Sequence, residues 1–590
     1  MSRWAAGLAP VVVAMAVLAG CTPGFAPASN NMAPLAQQVL NYQLVTGASD
    51  IAGLDPGASF ADLKETGLSA HAASLLPISL VFSNLVTLDQ NLAVENWDAQ
   101  HIAVSADGLT YTFTLRDDLK FSDGKAVTAA DYAFAINRTL DPCLASAVAP
   151  YLYEIKDALT FNAERCTIGA GGAPNTYDTG YGQTTPVLKD LLHDSVVASD
   201  PKTLVVTLAA PASYFLAAFA YPAAAAIEQS VVGNGASDSK WTDTLSKGAT
   251  GQGGSGPYYV SSWNHKGALV LKANPNFRTK PHIQTINISI YADAASAYKA
   301  YTSGTTDIGY PPVASLAQVR GQADYHQHPA LWTNYLGLNW QQAPFDDVRA
   351  RQAFALALNK DQINTDALSG AQLPTNHLIP SGMPGYNSAL VGPDGVASTQ
   401  GDATKAKALW QDYVKDKCGG QASNCAPVTL TYSSSSVTAD AVSKRMAQMW
   451  KAVLGVDVTL KTVEFDTLLG QLATDSLQFW NIGWRAYYPD PQNWLSLQFL
   501  CCPEAAYNAG HVSLADANTL LAQADANLDQ TQRLKQYQSA EQKLVDQVGW
   551  VPYDQVMNHW QNRTWIHGYG ETAQGQPSLD QWLAMYITNH

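Results

Sequence analysis

The sequence predicts an α/β protein built from more than one domain, and three observations carry that reading. Its 590 residues exceed what a single hydrophobic core usually supports. Val428, Leu430 and Tyr432 alternate with polar residues, Val442, Met446, Met449, Trp450 and Val453 recur at helical spacing, and Val456, Val458 and Leu460 alternate again. That strand-helix-strand succession, with Gly455 as the helix stop, is the unit of α/β architecture. Leu109, Tyr111, Phe113 and Leu115 alternate as a half-buried strand after an Asp107-Gly108 turn. A helix follows at once, opened by Thr128 with Asp131 three residues on and marked by Tyr132, Ala135, Ile136 and Leu140 on its buried face. A further helix, with Asp346 or Asp347 at its start, buries Ala350, Ala353, Phe354, Ala357 and Leu358.

The chain opens on a processing signal. Arg3 precedes an apolar run from Leu8 to Ala19 that ends in Leu18-Ala19-Gly20-Cys21. The run is shorter than the ~20 apolar residues that cross a bilayer, and it closes on small residues before a cysteine. Residues 1–20 are therefore expected to be a signal peptide removed before Cys21, whose acylated thiol would anchor the chain outside the cytoplasm. Residues 21–37, rich in Pro, Ala and Asn, read as a flexible tether. No other apolar stretch is long enough to span a membrane, so the lipid is the one membrane contact expected.

Composition narrows the function classes. Charged residues make up 14% of the chain, against ~25% in an average soluble protein, while 15 Trp and 27 Tyr raise the aromatic share to 10%. Rings with one polar edge suit clefts that hold organic molecules. A formal net charge of -15 and the lack of a basic stripe argue against nucleic acid. Of the seven cysteines, Cys21 is assigned to lipid, and export lets the others oxidise. Cys418 and Cys425 bracket a short Gly/Ser/Asn loop and are paired, as are Cys143 and Cys166 around a longer one. Cys501 and Cys502 are adjacent and fit a strained vicinal bridge, two reduced thiols or partners elsewhere.

The chain carries few signs of catalytic chemistry. There is no HExxH, no Walker-type loop and no Gly-x-Ser-x-Gly elbow. Ser237 to Lys240 satisfies Ser-x-x-Lys but sits in a Gly/Asn/Ser loop, and His326 with His328 lacks a third ligand, so both read as surface features. Neither a metal nor a cofactor is expected. Gly-rich segments near 169–182 and 247–256 read as loops.

Several blocks together resemble the family 5 extracellular solute-binding proteins, the receptors of peptide, nickel and opine ABC importers. The most specific runs from Asp107-Gly108-Leu109-Thr110-Tyr111 through Lys120-Phe121-Ser122-Asp123-Gly124-Lys125 to Asp131. Gly254-Ser255-Gly256-Pro257-Tyr258 with Trp263 and Asn274-Pro275, Gly304-Thr305-Thr306-Asp307-Ile308, Pro344-Phe345-Asp346-Asp347-Val348-Arg349 through Asn359-Lys360, and Trp484 with Tyr488-Pro489-Asp490-Pro491 follow in family order. The resemblance implies an α/β, two-lobed periplasmic-binding-protein fold of class II, cluster C type, with an extra α+β domain. By analogy lobe I is 38–80 plus 196–325 plus 551–590, the extra domain 81–195 and lobe II 326–550.

The resemblance also implies a role: a monomeric, non-enzymatic receptor on the outer face of the cytoplasmic membrane. It would capture a small organic solute, foremost a short peptide, between its lobes and hand it to an ABC permease and its ATPase. An oligosaccharide or other polar metabolite is the alternative solute, and an exported cell-wall hydrolase the alternative class. Peptide-binding members accept the ligand's α-ammonium on an Asp at the place of Tyr487, and a phenol is a weaker acceptor. Asp490 would compensate if the loop were shifted, or else serve its Asp-Pro turn. Arg485 offers a charge to a ligand carboxylate or phosphate, or to an interlobe salt bridge. Trp340 and Trp484 are the aromatic candidates for the cleft, with ordinary core as the other reading.

Overall fold

The computed structural model describes residues 31–57, 73–167, 175–178, 190–233, 240–486, 488–500 and 507–590. Cys21 and the signal peptide, Ser237, Tyr487, Cys501 and Cys502 lie outside the described residues. Among the described residues no helix is long and apolar enough to cross a membrane.

Lobe I is organised by a four-stranded sheet in the order Val39–Val45, Thr285–Tyr291, Ala268–Ala273, Tyr258–Trp263, the first pair parallel and the others antiparallel. Ile286, Ile288 and Ile290 alternate inward and pack with Leu40, Tyr42 and the C-terminal Trp582, Met585 and Ile587. Buried Gln38 ties the two ends of the chain together. Its amide donates to the carbonyls of Ala33 and Ile587, 2.9 Å each, and accepts from the Ile587 N–H at 2.8 Å. Met32 bridges Thr588 and Leu35–Gln37 is a 3-10 turn, so residues 31–37, assigned to the tether from composition, are docked on the lobe.

The extra domain holds an antiparallel sheet in the order Ala99–Val104, Thr110–Leu115, Thr203–Thr207, Val196–Asp200. Tyr111, Phe113 and Leu115 face its core, against Tyr132, Ile136 and Leu140 of the helix Ala129–Leu140. Asp131 accepts from the Thr128 N–H at 2.8 Å, closing the capping box. The strands at 196–207, given to lobe I by analogy, belong here because Thr203–Thr207 hydrogen-bonds along the whole of Thr110–Leu115. Cys143 and Cys166 are bonded.

Lobe II carries the largest sheet, ordered Ile308–Gly309, Trp550–Asn562, Tyr325–Leu338, Phe479–Arg485, Val428–Ser433, Val458–Val463, with Leu373–Pro374 also on Trp550–Asn562. The strand-helix-strand unit is present as read: Val428–Ser433 and Val458–Val463 run parallel, joined by the helix Val437–Leu454, which Gly455 ends at φ 74°. Asp347 caps Val348–Leu356 by accepting from the Arg349 N–H at 2.9 Å. Trp550–Asn562, which the analogy started in lobe I at 551, is instead a central strand of this sheet, paired antiparallel along most of Tyr325–Leu338. Cys418 and Cys425 are bonded at the end of the helix Ala403–Lys417.

Two buried ion pairs fasten the extra domain to lobe I. Arg138 meets Asp55 with two bonds of 2.9 and 2.6 Å, both side chains 1% exposed, and Trp241 and the Gly57 N–H add donors to the same carboxylate. Arg278 reaches Asp98 at 2.6 Å while Tyr132 donates to its other oxygen at 2.7 Å. Removing one partner from such a pair strands a buried charge, at about 3–5 kcal/mol. Arg138→Met is therefore expected to lower the melting temperature sharply, and adding Asp55→Asn to recover part of the loss. A melting temperature unchanged in the single variant would contradict this coupling.

Candidate functional site

Between the lobes lies a cleft of about 2170 Å³. Pockets for drug-sized ligands occupy ~300–1,000 Å³, so this one has room for a longer molecule. Lobe I contributes Tyr42 and Tyr310, the extra domain Trp97 and Tyr221, and lobe II Trp332, Asn334, Trp480, Trp484, Arg485, Tyr553 and Asp554.

The lobe II wall follows from strand register. Asp554 stands opposite Asn334, and Asn334 opposite Gly483, so three neighbouring strands present these residues in one row. A Cβ on Gly483 would meet Trp332 Nε1 at 2.3 Å and Asn334 Oδ1 at 2.5 Å; only glycine leaves space for both side chains to lie across it. Trp332, two residues from Asn334 and so on the same face, is 37% exposed. Next to Asp554 the pairing shifts, Asn334 facing Asp554 but Tyr335 facing Pro552, which leaves Tyr553 as an extra residue. Such bulges re-aim side chains at sites. Tyr553 donates to Asn481 at 2.8 Å and, like Asp554, lines the cleft.

Asp554 is 2% exposed; its Oδ1 accepts from Asn334 Nδ2 at 2.8 Å, while its Oδ2 has no partner. Burial pushes its carboxyl up to about 7. On the lobe I side, the Tyr42 and Tyr310 hydroxyls lie 2.6 Å apart, and Tyr569 stands 3.1 Å from Tyr310 and donates to Glu571 at 3.2 Å. Burial raises Glu571 to about 7 as well.

Of the residues singled out in the sequence, Trp484 and Arg485 face the cleft. Trp484 Nε1 donates to Asn493 Oδ1 at 2.9 Å, which fixes the indole, and Arg485, exposed, donates to the Gln574 carbonyl at 2.6 Å. Trp340 and Asp490 do not line it. The Trp340 ring lies 3.6 Å under the Arg351 guanidinium, and the residue's backbone N–H donates to the Gly510 carbonyl at 2.8 Å. Asp490 is buried, accepts from the Gln492 N–H at 2.9 Å and neutralises the buried Arg533; its work is the turn. His326 stacks on Trp560, and His328 Nδ1 sits 2.8 Å from the Pro329 carbonyl. Among the described residues no group of three His, Cys, Asp or Glu could hold a metal.

Sequence reading missed Trp332, Asn334 and Asp554. The available signal was an acid ending the apolar run Trp550-Val551-Pro552-Tyr553, where a buried strand would be expected to continue.

A carboxyl raised on folding binds its proton more tightly in the folded state, so Asp554 costs stability as pH rises from about 4 towards 7, and in full above that. Asp554→Asn, which keeps the shape and removes the charge, is expected to melt higher than the parent at pH 8, by roughly 2–4 kcal/mol of stability, with the gap shrinking as the pH falls and closing below about 3.5. Equal melting temperatures at pH 8 would contradict the burial of an uncompensated charge.

The sequence pattern of bacterial extracellular solute-binding proteins, family 5 Middle, matches residues 88–506. The chain is 26% identical over 501 residues to the oligopeptide-binding protein OppA of Bacillus subtilis, spanning 84% of this chain and 85% of that one. It is 27% identical over 535 residues to the probable deoxycholate-binding periplasmic protein YgiS of Escherichia coli, spanning 89% of each. Among solved structures, the unliganded open form of the periplasmic murein tripeptide-binding protein MppA matches with a TM-score of 0.71 at 23% identity, over 95% of this chain and 98% of that one. Listeria monocytogenes OppA bound to peptide matches at 0.65 and 22%, over 94% and 99%. The structural matches share the two-lobed α/β fold. With its family pattern running through well over half of the chain, the protein belongs to the bacterial extracellular solute-binding proteins of family 5.

Proposed function

We propose that the protein is the lipid-anchored receptor of an ABC importer, which captures an oligopeptide between its lobes and delivers it to a membrane permease and its ATPase. The observation that carries this reading is the cleft itself, with room for a chain of several residues and lined by aromatic side chains from both lobes. The oligopeptide-binding names of relatives from Bacillus, Salmonella and Escherichia favour the same solute class. Lobe closure would bury the ligand, exclude water and strengthen each polar contact, while presenting a closed surface to the permease. The buried ion pairs Arg138–Asp55 and Arg278–Asp98 make lobe I and the extra domain one body, so closure is a movement of lobe II against them.

Cys21 would carry the lipid. With Met32 already docked, eleven residue steps separate the anchor from the globule (32 − 21), a reach of at most about 40 Å. A second reading, another organic solute in the same cleft, is favoured by Tyr487 standing where an acidic residue is expected and by the deoxycholate-binding name of the YgiS relative.

Tryptophan fluorescence read against peptides, bile acids and oligosaccharides tests the role. Saturable quenching by peptides, with the peptide recovered intact, is the expected result; cleaved product would point to a hydrolase instead. Cys21→Ser is expected to move the protein from the membrane fraction to the soluble one, and an unchanged membrane fraction would contradict lipidation.

A further inference from the structure

Asp554 stands apart from the other buried acids. Asp55, Asp98 and Asp490 each meet an arginine, and Asp525 accepts from Ser496 and Tyr537. Glu541 takes two backbone N–H bonds at 2.9 Å and lies away from the cleft. Asp554 has one neutral donor, Asn334, and an oxygen with no partner, and no arginine or lysine among the described residues compensates it. It is also the one of these acids that lines the cleft.

A buried carboxylate with an open lone pair costs free energy and returns nothing to the fold. Such a group is retained where a ligand completes it. Its surroundings indicate the ligand's sign. The Asn334 amide donates to one oxygen and leaves the other without a donor in a residue that lines the cleft, and the exposed Trp332 ring on the same face offers a π surface to a cation. A ligand carboxylate or phosphate would meet repulsion here, and a neutral group would leave the charge uncompensated.

We propose that Asp554, oriented by Asn334 and flanked by Trp332, receives a positively charged group of the ligand, an ammonium or a guanidinium, in the lobe II wall of the cleft. The assignment rests on the receptor reading and adds to it a charge requirement at a named atom. A peptide supplies such a group either at its amino terminus or on a lysine or arginine side chain.

The test compares three pools of random tripeptides by calorimetry: unmodified, N-acetylated with lysine and arginine omitted, and N-acetylated with one lysine. The parent protein is expected to bind at least one cation-bearing pool 10-fold or more tighter than the neutral pool, and which pool it prefers distinguishes amino terminus from side chain. Asp554→Asn is expected to abolish that preference, the cation-bearing pools binding it no more tightly than the neutral pool does. Asp554→Ser, smaller and equally uncharged, should behave alike, so the result does not hang on the folding of one variant. A preference that survives both substitutions, or a parent that binds the neutral pool as tightly as the others, overturns the assignment and leaves the receptor reading standing. A parent that binds none of the pools overturns the peptide reading and the assignment with it.

Discussion

The cleft depends on the register between two long antiparallel strands, Tyr325–Leu338 and Trp550–Asn562. Side chains alternate faces along a strand, so a slip of one residue would turn Trp332 and Asn334 away from Asp554. The pairing as it stands brings Asn334 and Asp554 together, and the bulge at Tyr553 lets two successive residues contribute to the wall. Gly483 on the next strand then leaves the volume in which Trp332 and Asn334 rest. The lobe II wall of the cleft is therefore a property of three strands in register, more than of any loop.

The same strands join the lobes mechanically. At its far end Trp550–Asn562 pairs with Ile308–Gly309, whose Ile308 is buried in the lobe I core, and the adjoining Asp307 holds the lobe I residue Asn41 through its carboxylate at 2.7 Å. Lobe II is thus tied to lobe I through strand ends, while the extra domain is joined to lobe I by two buried ion pairs and packs on lobe II through Tyr214 stacked on Tyr488.

Local structure was legible in the sequence where its cause is local. The Thr128/Asp131 capping box, the Gly455 helix stop and the alternation from Val428 to Leu460 each rest on residues within one or two turns of one another, and all three are in the structure. Cys143 with Cys166 and Cys418 with Cys425 are bonded across the loops they bracket. Long-range pairing was not legible. Nothing in 196–207 or 551–562 states which sheet will claim them, because the partner strands are distant in sequence. The same limit governed the site. Trp340 and Trp332 are both tryptophans near one strand, and only the register and the Arg351 guanidinium separate a core ring from a cleft ring. Asp490 fitted either a ligand group or its Asp-Pro turn, and buried Arg533 settles it for the turn, whereas the missing partner of Asp554 has no counterpart in the sequence.

The central claim is that the cleft holds a solute reversibly and unchanged. Native mass spectrometry of the protein isolated gently from its own cells, followed by denaturation and identification of whatever is released, tests it most directly. The account predicts a one-to-one complex that releases intact short peptides carrying a positive charge. Uniformly empty protein after isolation from peptide-rich medium, or release of cleaved fragments only, would contradict it.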